Sequence, residues 1–322
     1  MIRTIKWLAV VSTIGMIFIL LGGALVTKTD SGMGCGTSWP LCHGQLIPTN
    51  ITPELIIELS HRLVSTVIGI SVTLLAILAW IAFNKNREIK FLAFSSVFFI
   101  ILQGLIGAAA VVWGQSDFIL AIHFGISLIS FATVFILMLL IFETDQKWDT
   151  ASVYIEKRHR IEIYLLSIYT LVVVYTGALV RHIDAHLVCG SWPFCDNSNP
   201  FGFADYNFHQ WVQMGHRFLA GLLLVWTIVL FIKVYKHYRS NRIMYIGWSI
   251  TLGLIIAQVL AGAFIIFTDL NIWISLLHAL FITCYFGNLS YYILLSYRSA
   301  AQETKVPVNS KIRFSTEAKN EI

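Results

Sequence analysis

Charge is what this sequence has least of. Asp, Glu, Lys and Arg make up 12% of its 322 residues, where a soluble domain carries roughly 25%. That shortage excludes an ordinary soluble domain, and none is evident anywhere along the chain. A basic patch is lacking too. The formal net charge is +5, but the basic residues sit in short connections between apolar runs, which rules out reading the charge as a nucleic-acid signal. The first apolar stretch follows Arg3 and Lys6 and lacks a clear small-x-small cleavage site, so it is expected to stay as a span rather than leave as a signal peptide. No Arg-rich, Ser-rich transit segment precedes it, which points to a bacterial source. After Arg298 the apolar residues thin out, and 299–322 reads as a polar, disordered cytoplasmic tail.

What is present is hydrophobic: 57% of the residues, in runs near twenty long that recur over the whole length. Such runs read as membrane-crossing helices, because only a helix satisfies its own backbone in lipid. The expected fold is an all-α integral membrane protein with eight spans, at 7–27, 54–83, 91–113, 117–142, 161–181, 208–234, 243–267 and 271–297. Lys and Arg set the expected orientation. Lys85, Arg87 and Lys90, then Lys147, Lys157, Arg158 and Arg160, then Lys233, Lys236, Arg239 and Arg242 mark three connections as cytoplasmic. The alternate connections carry almost none, so both termini are expected in the cytoplasm and the long loops 28–53 and 182–207 outside.

The chain also repeats itself. His61-Arg62 returns as His216-Arg217, Gln103 and Gly107 as Gln258 and Gly262, and His123 as His278, all at an offset of 155. Ala24-Leu25-Val26 returns as Ala178-Leu179-Val180 and Cys35 as Cys189 at 154, and Trp39-Pro40 as Trp192-Pro193 at 153. The drift falls in the outer loops, where insertions are tolerated. Four spans precede the duplication point, so the halves share one orientation, a parallel repeat. Residues 1–150 and 151–298 are each expected to form a four-helix bundle.

Ionisable residues inside spans mark working sites by default. His61, His123, His216 and His278 each sit within about nine residues of the outer start of an even-numbered span. That is a depth of roughly 10–15 Å, toward the outer leaflet. A lone intramembrane His is usually a packed, hydrogen-bonded residue, but four at one depth suit two pairs of axial haem ligands. Zinc fits less well, since apart from Glu58 no further Cys, His or carboxylate lies at that depth. Thr52-Pro53 reads as a helix start, which puts Glu58 one turn outward of His61 on the same face, with Arg62 pointing elsewhere. Arg62 and Arg217 suit haem propionates, with snorkelling to the interface as the competing account. Adding 155 to Glu58 gives Gln213, so one half has an ionisable group that the other lacks.

Cys35 and Cys42 lie in the first outer loop and Cys189 and Cys195 in its counterpart. On an oxidising side, two short disulfides are expected. Cys189–Cys195 reads as a staple; Cys35–Cys42 reads as a staple or a redox pair, with a metal pair as a third reading. Cys284, inside the last span, reads as packing.

In the eight-span duplicated layout, Glu58-x-x-His61-Arg62, His216-Arg217, His123, His278 and the paired loop cysteines, the chain up to about Tyr297 resembles the haem A synthase family, in its Gram-positive type. No matching position departs from the pattern. The resemblance implies a bacterial multi-pass cell-membrane oxidoreductase that oxidises a methyl group of haem O to a formyl group, giving haem A for terminal oxidases. It implies haem b on His216 and His278, with Arg217 beside it, and substrate haem O near His61 and His123, with Glu58, His61 and His123 as the catalytic set. Haem O synthase follows as a functional partner by analogy only. A bis-His di-haem electron carrier would use the same four histidines, but the Glu58/Gln213 difference speaks against it. A transporter built on a parallel repeat leaves them unexplained.

Overall fold

Why each apolar run becomes a helix of its observed length is clearest at its ends. In the computed structural model, which describes residues 2–305 apart from 47, 115, 147–149 and 151–152, the second run starts at Thr52. The Thr52 side chain accepts from the Leu55 N–H, and Pro53 occupies the first helical position, where its missing N–H leaves no bond unmade. Asn86 and Asn241 cap the third and seventh runs in the same way, each accepting from two backbone N–H groups. Asn207 and Gln210 form a reciprocal capping box at the sixth.

The described residues hold eight long helices: α1 (Ile2–Lys28), α2 (Pro53–Ala82), α3 (Arg87–Val112), α4 (Asp117–Gln146), α5 (Lys157–His182), α6 (Phe208–Tyr238), α7 (Arg242–Phe267) and α8 (Ile272–Lys305). A single 3₁₀ turn, Phe203–Asp205, interrupts the second long loop. All eight are long and apolar enough to cross a membrane, and the protein is an all-α, multi-pass membrane protein. Large apolar side chains such as Phe18, Leu63, Ile70, Phe94 and Phe218 project outward, as a lipid-facing surface requires.

Helices α1–α4 pack on one another, as do α5–α8, and the two groups join where α8 packs on α1 and α4 and where α5 packs on α4. One core runs across that seam, from Met16, Leu128 and Phe131 to Trp248, Tyr285 and Tyr292. A second core, around Ile5, Leu75, Ile89 and Leu137, fills one end of the first group.

The last helix corrects the expected tail. α8 continues to Lys305 instead of ending at 297. The cause is a polar network at the end of the helices away from the cysteine loops. Arg298 holds Glu88 of α3 (Nη2–Oε2 2.5 Å) and Glu143 of α4 (Nη1–Oε1 2.7 Å). Ser299 is buried and accepts from the Ile155 N–H at 3.0 Å, and Glu303 pairs with Arg160. Extra turns that are tied this way stay helical. The remainder of the expected tail, 306–322, lies outside the described residues.

Candidate active site: two histidine pairs beneath two disulfide loops

The first long loop closes on itself through Cys35–Cys42 and the second through Cys189–Cys195. Each is then fastened to the even-numbered helix behind it. Glu58 is buried at 3% exposure; its Oε2 accepts from the Cys35 N–H at 2.7 Å, and its Oε1 pairs with Arg62. Arg62 also donates to the carbonyls of Ser38 (2.9 Å) and Leu41 (3.0 Å). In the second loop the Gln213 Oε1 accepts from the Cys189 N–H at 2.8 Å, while its Nε2 donates to the His186 carbonyl at 2.7 Å. Arg217 donates to the carbonyls of Ser191 (2.7 Å), Phe194 (3.1 Å) and Cys189 (3.2 Å).

Two sequence expectations change here. Arg62 does not point away from Glu58; the two lie four residues apart on one helical stripe and form an ion pair. Both arginines engage loop carbonyls through their terminal nitrogens, so their first task is to hold the lids. Glu58 likewise has both oxygens engaged in this clamp and does not hang free over His61.

Beneath the loops lies one cavity of about 910 Å³ that runs across both helix groups, and His61, His123, His216 and His278 all line it. Every one of the four rings rests against a glycine of the preceding odd-numbered helix. A Cβ added at Gly23 would stand 3.4 Å from His61 Cε1, at Gly107 3.1 Å from His123 Cε1, at Gly177 2.9 Å from His216 Cε1, and at Gly262 3.2 Å from His278 Cε1. Small residues at those positions let the helix backbones come close and leave the rings' outer faces to the cavity. Gly107 and Gly262 belong to the repeat already noted. Gly23 and Gly177 were missed, although they immediately precede the repeated Ala-Leu-Val and share its offset.

The two pairs are held differently. His216 Nδ1 lies 2.9 Å from Thr176 Oγ1, and that hydroxyl donates its own proton to the Val173 carbonyl at 2.7 Å. The hydroxyl can therefore only accept from the ring, so His216 carries its proton on Nδ1 and keeps Nε2 as a lone pair. His278 Nδ1 lies 3.1 Å from the Gln258 carbonyl, which fixes the same tautomer; the Gln258 amide then donates to Nε2 at 3.0 Å. In the other half, His61 Nδ1 and His123 Nδ1 have no hydrogen-bond partner among the described residues, although the Gln103 backbone lies close to the His123 ring. A metal-bound imidazole almost always donates its second N–H to a carbonyl, carboxylate or water. The His216/His278 pair has that support in place.

No group of three His, Cys, Asp or Glu side chains converges to hold a metal ion among the described residues. Each pair thus offers two imidazole nitrogens, the number that axial haem ligation uses. The donor set, the cavity and the glycine-backed rings fit haem.

An ion-pair seam near the loops was also missed. Arg181 donates to the Thr27 carbonyl (2.8 Å) and pairs with Asp30 (2.9 Å) and Asp184 (3.2 Å), joining the ends of α1 and α5. His186 in the second loop lines the cavity. Burial, with Arg181 and Lys28 nearby, lowers its pKa from the ordinary histidine value.

Residues 6–289 match the family COX15-CtaA, described as cytochrome oxidase assembly protein. The chain is 59% identical to the heme A synthase of Oceanobacillus iheyensis over 94% of its own length and 98% of that protein. It is 54% identical to the heme A synthase of Geobacillus kaustophilus over 96% of each, and 50% identical to that of Lysinibacillus sphaericus over 94% of this chain and 98% of the other.

Proposed function

Since the chain belongs to the COX15-CtaA family of cytochrome oxidase assembly proteins, we propose a division of labour between its two histidine pairs in the activity that its relatives are named for. That activity is haem A synthesis. The protein is a haem A synthase, a multi-pass cell-membrane oxidoreductase whose substrate is haem O and whose product is haem A. One ring methyl becomes a formyl group, a change that removes four electrons and adds one oxygen atom.

In our reading, His216 and His278 hold a resident haem b in the 151–298 half, and His61 and His123 hold the substrate in the 1–150 half. The observation that carries it is the unequal support of the two pairs. Both rings of the first pair are pinned in the tautomer that offers Nε2 to iron; among the described residues His61 Nδ1 has no partner and His123 has only the Gln103 backbone close by. A permanent cofactor favours the first arrangement and an exchanging substrate the second. Haem b when bound supplies a one-electron relay next to the substrate. To offer Nε2 to that iron, His278 would have to give up the Gln258 amide that now meets it. The second disulfide loop, clamped by Gln213 and Arg217, lines the cavity with Trp192, Pro193 and Phe194 and limits the access of water to it. Arg217, which lines the cavity, holds the lid over the resident haem.

Glu58 is the ionisable group by which the halves differ. With both oxygens held by donors, the role that it supports is electrostatic: a fixed carboxylate one turn outward of His61 stabilises positive charge that develops at the methyl carbon. The histidines lie toward the outer leaflet, and haem O synthase, as the source of the substrate, is the fitting partner.

Pigment analysis tests the division. Purified protein should yield haem b together with haem O and haem A. Haem b alone, with no haem O bound on reconstitution, would point to an electron carrier and sink the proposal.

A further inference from the structure

On the reading that the 151–298 half keeps its haem while the 1–150 half exchanges it, we propose that Thr176 is a positioning residue that makes His216 a permanent ligand, and that Gly22, its counterpart, leaves His61 releasable. Thr176 and Gly22 occupy matching places: each is followed by a glycine and then by the repeated Ala-Leu-Val, at the offset of 154 that this segment keeps. The loops and the ligands themselves repeat across the halves, whereas this position does not.

The geometry shows what the difference does. The Thr176 proton goes to the Val173 carbonyl, and the oxygen lone pair receives the His216 Nδ1–H at 2.9 Å. The ring is held against rotation about its Cβ–Cγ bond, and an imidazole whose N–H is engaged is a more basic ligand. At position 22 a side chain has no room: a Cβ there would stand 3.0 Å from His61 Nδ1. The His61 ring lies directly on the α1 backbone, and its Nδ1 has no partner among the described residues. No hydrogen bond among the described residues fixes its tautomer or its rotation, so binding iron there must also order the ring. That weakens the hold on haem in the half where substrate enters and product leaves.

The test compares wild type with Thr176→Val, which deletes the hydroxyl at nearly constant volume, and with Thr176→Ser, which restores it. Haem released from purified protein into excess apomyoglobin is identified by chromatography, and the haem b midpoint potential is measured by redox titration. Wild type should release haem O before haem b. Thr176→Val should release haem b about tenfold faster or more, the usual penalty for losing an outer-shell partner. The gap to haem O should narrow, and the midpoint potential should rise, because a less basic imidazole stabilises ferric iron less. Thr176→Ser should return both to near wild type. A Thr176→Val protein with wild-type release and potential overturns the inference, as does a serine variant that behaves like valine. If the valine variant fails to fold, Thr176→Ala is read by the same criteria. His216→Ala separates the two levels: loss of haem b in that variant with no effect in Thr176→Val refutes the role of Thr176 alone, while haem b retained in His216→Ala refutes the underlying division.

Discussion

The substitution Glu58→Gln replaces one half's residue by the other half's own. Its structural effect can be bounded. The amide oxygen can still accept from the Cys35 N–H, as Gln213 does from Cys189 at 2.8 Å. The amide nitrogen then faces Arg62 Nη2 where Oε1 stood, a donor against a donor. Breaking a fully buried pair costs about 3–5 kcal/mol. Here the side chains are 13% and 4% exposed, and Arg62 keeps the carbonyls of Ser38 and Leu41. Losing one charged hydrogen bond, about 1.5–3 kcal/mol, is the better measure. The first loop should loosen but the bundle should stand, with haem b content unchanged because the other half is untouched.

Catalysis separates the readings. If Glu58 only fastens a lid, haem A formed per bound haem O should fall several-fold at most. If its charge stabilises the transition state, the rate should fall on the order of a hundredfold or more, with a hydroxylated intermediate accumulating. We expect the second. The assay is haem extraction and chromatography, normalised to haem b as an internal measure of folded protein. Arg62→Gln is the control: it breaks the same ion pair yet leaves the carboxylate, and it should retain most of the activity. Wild-type haem A yield from Glu58→Gln, or an Arg62→Gln protein as inactive as Glu58→Gln, would refute the electrostatic role.

Three further outcomes are expected. His216→Ala or His278→Ala should lower bound haem b sharply, read from the absorption spectrum of purified protein, with wild-type content in both refuting the assignment. Thiol labelling of denatured, unreduced protein should find Cys284 alone, since Cys35, Cys42, Cys189 and Cys195 are paired; labelling of Cys35 and Cys42 only would instead point to a redox-active pair. Gly177→Ala places a Cβ 2.9 Å from His216 Cε1 and should reduce haem b content, whereas Gly104→Ala, with nothing within 4 Å, should leave it intact; equal spectra for the two variants would show that the close approach does not matter.

How far the sequence is legible depends on how far apart the interacting residues lie. The eight helices could be read because each is a continuous apolar run with local end signals, Thr52-Pro53 being the clearest. The four histidines could be read because they repeat at a fixed offset. Their glycine backing was half legible: Gly107 and Gly262 were visible in the repeat, while Gly23 and Gly177 look like ordinary small residues until the ring that rests on them is located. The ends of the chain's polar contacts were not legible. Ser299 and Glu303 extend α8 by binding Ile155 and Arg160, well over a hundred residues away, and no local signal announces that.

Glu58 shows the same limit at the site itself. That the halves differ there was plain from Gln213. What the carboxylate touches was not, because the Cys35 N–H comes from a loop 23 residues upstream. Spacing alone put Glu58 one turn outward of His61 and turned Arg62 away; the loop that returns to both of them brings Arg62 back to Glu58 and ties the carboxylate to Cys35. The comparison of halves therefore carries further than either half alone. Where both halves have the same residue, as at His61 and His216, the shared role that we propose is haem ligation. Where they share a bond but not a charge, as at Glu58 and Gln213, the bond accounts for the common loop clamp and the charge is left for what only one half does. Thr176 and Gly22 extend that logic to a position where even the bond is missing from one side, and a ligand that must let go of its haem is the side expected to lack it.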